Sequence, residues 1–304
     1  MIVGWHVPEE RRAWSRAKVF LVTACDTNLE FATPIPLVWD VPPYTNPDCF
    51  AETDSLESAR LFPPHRLNAM FGQIRPTEFD LHFSMFGISI RVHPAFWIVG
   101  AIMGWNDGIA RVLEVNVLVP VLLWLAVIFV SILVHELGHA LTAQHFGWPP
   151  EITLYHFGGL ASYRPTFGYT PRRRVLISLA GPGAGFLLYG LIRGAEFWMV
   201  EVGYVPPPLL RYVLFQAEWV NLYWGLINLL PVLPLDGGHV AEEICKAVRP
   251  RDGEYIAIQL AILVAGGVAF YLLSHHEQFG LYPGVLFGML CYMNFQSLQQ
   301  RRGP

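Results

Sequence analysis

From Val117 to Val134 the chain runs eighteen residues without a charge, and the same run continues into His135, Glu136 and His139. An apolar stretch of that length is long enough to cross a bilayer as a helix. Ionisable side chains set in such a helix are costly to keep there, so those that persist are functional candidates. The pattern His-Glu-x-x-His puts two imidazoles one turn apart on one helix face, with a carboxylate next to the first. That is two ligands of a metal site and a base beside them.

Composition fits a membrane chain. Of 304 residues 53% are hydrophobic and only 14% charged, where a soluble domain carries roughly a quarter charged; mean hydropathy is +0.38. A net charge of −4 gives no basis for nucleic-acid binding. Cys25, Cys49, Cys245 and Cys291 show no paired metal spacing and imply no disulfide framework. The apolar piece Val19–Ala24 is too short and lies too deep for a secretory signal.

Residues 1–80 are rich in proline and charge and lack helical periodicity, which predicts a loosely structured cytoplasmic extension, with Met70 as an alternative start. Residues 81–304 predict the membrane domain. DLHFSMFGISIRV suggests a short strand or interfacial segment, and a first short span follows from Pro94 to Trp105. The Val117–Phe146 helix is the second span, stopped by Pro149 and Pro150. EITLYHFGGLASY then reads as a hairpin or re-entrant strand around Gly158 and Gly159. Later spans are expected at Val175–Ile192, Tyr212–Leu230, Tyr255–Ser274 and Phe279–Phe295.

The predicted fold is therefore an all-α polytopic membrane protein of about six transmembrane helices, with a short re-entrant β segment between helices 2 and 3. Basic residues cluster at Arg172–Arg174, at Lys246, Arg249 and Arg251, and at Arg301 and Arg302, which puts both termini on the cytoplasmic side. His135 then sits roughly 20 residues into its span, ~30 Å of rise from the outer face.

Catalytic zinc takes three protein ligands and keeps one position open. His135 and His139 supply two, and Glu136 is aimed from the side at whatever occupies the open position. Asp236 is the best third candidate: Pro231 and Pro234 interrupt the chain before it, and Gly237 and Gly238 after it allow a tight turn or close backbone approach. A solvated Asp in a helix-ending loop is the competing reading. In AGPGAGF, Gly181 and Gly185 stand four apart, as in close helix packing. His145, His156 and His239 read as structural groups, and His275 and His276 as solvated.

HELGH in the second span, together with NLLPVLPLDG at Asn228–Gly237, resembles the paired motifs of the site-2 protease family of intramembrane zinc metalloproteases. The resemblance covers about Ile90 to Phe295. It implies that His135, His139 and Asp236 bind one zinc ion, that Glu136 is the general base, and that Asn228 supports the substrate backbone or the developing oxyanion. It further implies an edge strand at Phe157, Gly158 and Gly159 that holds an unwound substrate segment, although packing around the site would use the same residues. Gly185 stands where several relatives carry Asn, a departure from the family pattern. The implied activity is hydrolysis of peptide bonds in or near transmembrane helices of membrane-protein substrates within the lipid bilayer. The rival is a membrane metal-ion transporter or metal-binding protein without hydrolysis, which has no special need for a carboxylate beside the first histidine.

Overall fold

The computed structural model describes residues 76–302 apart from Phe157, Thr166, Phe167 and Gly280. The expectation for residues 1–80 therefore lies almost wholly outside the described residues, and Phe157 lies outside them as well.

The segment expected as a short strand or interfacial segment forms two strands, β1 (Leu81–Met85) and β2 (Ile88–Val92). Phe86 and Gly87 both adopt positive φ, 55° and 77°, the backbone that a two-residue hairpin turn demands. Strand β2 alternates, with Ile88, Ile90 and Val92 buried. It pairs in parallel with β3 (Pro150–Tyr155), which pairs antiparallel with β4 (Gly158–Tyr163). The sheet order is β1-β2-β3-β4, so β4 is an outermost strand. The described residues are mostly helical, as expected, and the sheet is larger than expected: the hairpin after the second span is half of a four-stranded mixed sheet. Local periodicity misses it because β2 and β3 meet only after the helices between them have packed.

Helix α1 (Pro94–Gly104) starts on Pro94, with the His93 ring accepting from the Ala95 N–H as its cap. Its eleven residues rise about 16 Å. After the short α2 (Asp107–Val112), α3 (Leu118–His145) runs 28 residues, about 42 Å. Val127, Ile128, Ile132, Leu133, Leu137 and Ala140 of α3 pack against Ile88, Ile90, Val92, Ile152 and Leu154 of the sheet in one buried cluster. The sheet thus lies against the part of α3 that carries the ionisable residues.

Helix α4 (Pro171–Glu201) is longer at both ends than expected, taking Arg172–Arg174 into its first turns behind a Thr170 cap. Towards its far end Arg193 reaches both Glu196 (2.6 Å) and Glu218 (3.0 Å), so two carboxylates share one cation there. Helix α5 (Pro208–Asn228) packs on α4. Then comes a helix the sequence reading did not foresee, α6 (Asp236–Val248), followed by α7 (Gly253–Ser274), the single-turn α8 (His276–Phe279) and α9 (Leu281–Arg302). Helices α7 and α9 share a second apolar cluster around Ala265, Ala269, Phe287 and Leu290.

Among the described residues, α3, α4 and α7 are long and apolar enough to cross a membrane. Helix α1 is apolar but short, whereas α5 and α9 have the length but more polar residues. Helices stand at all six expected span positions, and three of them meet the length and composition of a span.

Candidate metal centre and active site

His135, Glu136 and His139 are 3%, 5% and 7% exposed, on the face of α3 that looks towards α4, β4 and the turn before α6. Asp236 is the first residue of α6. The turn that delivers it is close-packed backbone to backbone. A Cβ on Gly237 would strike the Leu229 and Leu230 carbonyls, and one on Gly238 would strike Val232 and Leu233. Asn294 of α9, fully buried, donates to the Leu233 carbonyl at 2.6 Å and fixes the turn from the other side.

These elements bring three donors to one point. His135 Nε2 lies 3.2 Å from Asp236 Oδ2, His139 Nε2 lies 3.3 Å from Asp236 Oδ1, and the two Nε2 atoms are 3.2 Å apart. Donors sharing one tetrahedral cation through bonds of 2.0–2.1 Å stand about 3.3–3.4 Å apart. The spacing therefore suits a small tetrahedral ion, and two imidazoles with one carboxylate form a donor set that zinc takes well. This is the only group of three or more metal-capable side chains among the described residues.

The second ring nitrogen of His139 adds to the fit. Nδ1 is 2.7 Å from the Ile177 carbonyl oxygen. A carbonyl can only accept, so Nδ1 carries the proton and the lone pair of the neutral ring belongs to Nε2, which faces the other donors. The ring sits flat against α4 where that helix has no side chain: a Cβ on Gly181 would run into the imidazole. One residue earlier, a Cβ on Gly138 would strike the Ala180 carbonyl. The small residues of AGPGAGF do serve close helix packing, and the packing is what admits His139.

Glu136 has the edge of the sheet for company. The Ala161 backbone N–H hydrogen-bonds its carboxylate, and a Cβ on Gly159 would overlap it. Gly158, at φ +121°, lies against the Trp224 indole. Burial pushes the Tyr155 phenol up to about 12, and the nearby Glu136 charge adds to the shift, so this buried hydroxyl keeps its proton. Asn228 is placed differently from the other candidates. Its amide donates to the Trp224 carbonyl of its own helix at 2.9 Å. His239 meets Arg174 and not the donor group; His145 rests on Phe146, and His156 stacks edge-on against Tyr155.

The sequence reading missed the residues that hold α6. Arg174 of α4 donates to Glu243 Oε1 (2.9 Å), to Glu242 Oε2 (3.1 Å) and to His239 Nδ1 (3.1 Å), while the Tyr169 hydroxyl donates to Glu243 and Lys246 to Glu242. Burial alone would raise the Glu242 pKa, but the Arg174 charge and the Lys246 hydrogen bond and charge outweigh it and hold the carboxyl well below the usual range. In the sequence, Arg172–Arg174 signal only sidedness. The adjacent acids Glu242 and Glu243, with Lys246 one turn on, were the available hint of a buried partner.

Residues 207–273, from α5 into α7 and including Asn228 and Asp236, match the model of Peptidase family M50. The provisionally named zinc metalloprotease sll0528 of Synechocystis sp. is 36% identical over 183 residues, 58% of this chain and 46% of its own length. Zinc metalloprotease MJ0392 of Methanocaldococcus jannaschii is 27% identical over 53% of this chain and 44% of its own. A solved chain, the site-2 protease from Methanocaldococcus jannaschii, aligns over 72% of this chain and 95% of its own with a TM-score of 0.49 at 21% identity. The chain spans about half the length of the curated relatives it matches. The resemblance read from the two motifs is borne out by the family match and the two curated zinc metalloproteases.

Proposed function

We propose that this protein is a zinc-dependent intramembrane endopeptidase that cuts peptide bonds in or near transmembrane helices of other membrane proteins. One observation carries the reading. A buried carboxylate, Glu136, stands next to a three-donor group at the end of a membrane-length helix and against the edge of a sheet.

His135, His139 and Asp236 would hold the ion. When bound, zinc supplies a Lewis acid that polarises the scissile carbonyl and makes water easier to deprotonate. Glu136 takes the proton from the attacking water on its carboxylate and passes it to the leaving amine nitrogen. The Ala161 N–H holds that carboxylate in place, and the missing side chain of Gly159 leaves room for it. A peptide bond inside a helix is shielded by its own hydrogen bonds, so a substrate must unwind before it is cut. The Gly158–Gly159 end of β4 offers an edge that can pair with the freed backbone. Asn228 supports the substrate backbone or the oxyanion once its amide leaves the Trp224 carbonyl. The helices at the six expected positions make up the membrane domain, with both termini on the cytoplasmic side.

The test pairs Glu136→Gln with zinc analysis. Cleavage should fall by about 10²–10⁴-fold while the variant keeps one zinc per chain. Comparative proteomics should then show uncut membrane proteins accumulating beside the variant. Undiminished cleavage by Glu136→Gln would end the assignment of the base. For the topology, a reporter fused after Arg302 should be found on the cytoplasmic side, and one found outside inverts the arrangement.

A further inference from the structure

The two histidines of the donor group differ in what holds the ring nitrogen away from it. His139 commits Nδ1–H to the Ile177 carbonyl. His135 is 3% exposed, yet only its Nε2 has partners, and its Nδ1 has none among the described residues. Once Nε2 gives its lone pair to a metal, the proton of the neutral ring is on Nδ1 and needs an acceptor.

A narrow cavity, too tight for a water molecule, adjoins His135 and is lined by Ser131, Gly185, Val220, Asn221 and Trp224. Asn221, in α5, is 2% exposed. Its carboxamide nitrogen donates to Ser131 Oγ at 2.9 Å and to the Ala217 carbonyl at 2.8 Å. That carbonyl can only accept, so the nitrogen is fixed on that side and the oxygen on the other. The carboxamide oxygen is fully buried and accepts no hydrogen bond. It looks towards the gap that Gly185 leaves in α4, 3.8 Å from where a Cβ there would stand. Gly181, one turn earlier on α4, is the glycine that receives His139. A buried acceptor without a donor and a ring nitrogen without a partner thus belong to two residues that line the same cavity. Empty buried acceptors are costly, and such an exception calls for a physical reason.

We propose that Asn221 is a positioning residue for His135: its carboxamide oxygen receives the His135 Nδ1–H and so selects the tautomer that turns Nε2 to the metal. This rests on the metal reading above. Ser131, one turn before His135 on the same helix, holds the carboxamide by its other end. The pair does for His135 what the Ile177 carbonyl does for His139.

The experiment is a competitive zinc titration of the full chain in detergent micelles against a chromophoric chelator. Asn221→Leu keeps the volume and removes the acceptor, and should raise the zinc Kd about 10–100-fold. Asn221→Asp keeps an acceptor oxygen and should stay within about threefold of the unaltered protein. Equal affinity in the Leu variant overturns the proposal. Should that variant not fold, 15N histidine spectra of the unaltered zinc-loaded protein decide. Two slowly exchanging Nδ1 protons, from His135 and His139, are expected, and only one overturns it. An unaltered chain that binds no zinc removes the metal reading itself, an outcome distinct from a failure confined to position 221.

Discussion

His135 and His139 come from one helix wrapped in apolar side chains, whereas Asp236 comes from a turn and an amphipathic helix held by charge. The first half is anchored by burial against the sheet and by helix contacts at Gly138 and Gly181. The second is anchored by the Gly237–Gly238 backbone contacts, by Asn294, and by Arg174 with its two carboxylates. Apolar packing fixes a rigid pair of donors without regard to pH. A charged brace fixes the third only while its partners stay ionised. The donor group therefore has one firm side and one that responds to its ionic surroundings.

The largest effect that probes this difference is removal of a donor from either half. His135→Ala and Asp236→Ala should each leave the purified protein essentially without zinc, measured by elemental analysis. Full zinc content in either variant would show that the two halves are not one site. Next is Arg174→Met, which leaves Glu242 and Glu243 buried without their main cation. The expected cost is about 3 kcal/mol in thermal or denaturant unfolding in micelles, together with weaker zinc binding through Asp236. Unchanged zinc affinity in a folded Arg174→Met protein would mean that α6 holds Asp236 without its brace.

Gly181→Val tests the firm half. The added side chain must displace the His139 ring, at a cost of about 1–3 kcal/mol, read as reduced zinc affinity. Gly183→Val, two residues on, should change nothing, because no atom lies within 4 Å of a Cβ there. The smallest effect is on pH. Glu242 has its folded pKa depressed below the ordinary 4.5. Its contribution to stability is thus complete above that value and declines as pH falls below it, while the unfolded chain takes up the proton first. Acid unfolding followed through that range should show a shallower loss in Glu242→Gln than in the unaltered chain.

The firm half was legible because its information is local. Eighteen uncharged residues and His-Glu-x-x-His speak of one helix and one face, and α3 follows them closely. Asp236 was legible through its flanking prolines and glycines and its match to a second motif. The helix that begins on it was not, since two glycines and a histidine at its start weaken helical propensity and tertiary contacts override that. The same holds for β2. Its alternation was visible, but a parallel partner on the far side of α3 leaves no mark on the local pattern. Arg174 had a plausible use at the membrane surface, and a buried role for it depends on Glu242 and Glu243, far along the chain. Asn221 was silent for a related reason, being one polar residue among several in α5, singular only in having a carboxamide oxygen with nothing to accept.

The three glycines of AGPGAGF, alike on paper, face different neighbours, and this governs how the segment can drift. Position 181 abuts an imidazole and admits no side chain without moving it; position 183 is open; position 185 has room for a methyl group at ordinary contact distance. A saturation library over this stretch should therefore recover almost any residue at 183, small ones at 185 and glycine alone at 181. Descendants of this sequence can rewrite most of that helix turn, and the letter they must keep is the one that touches His139.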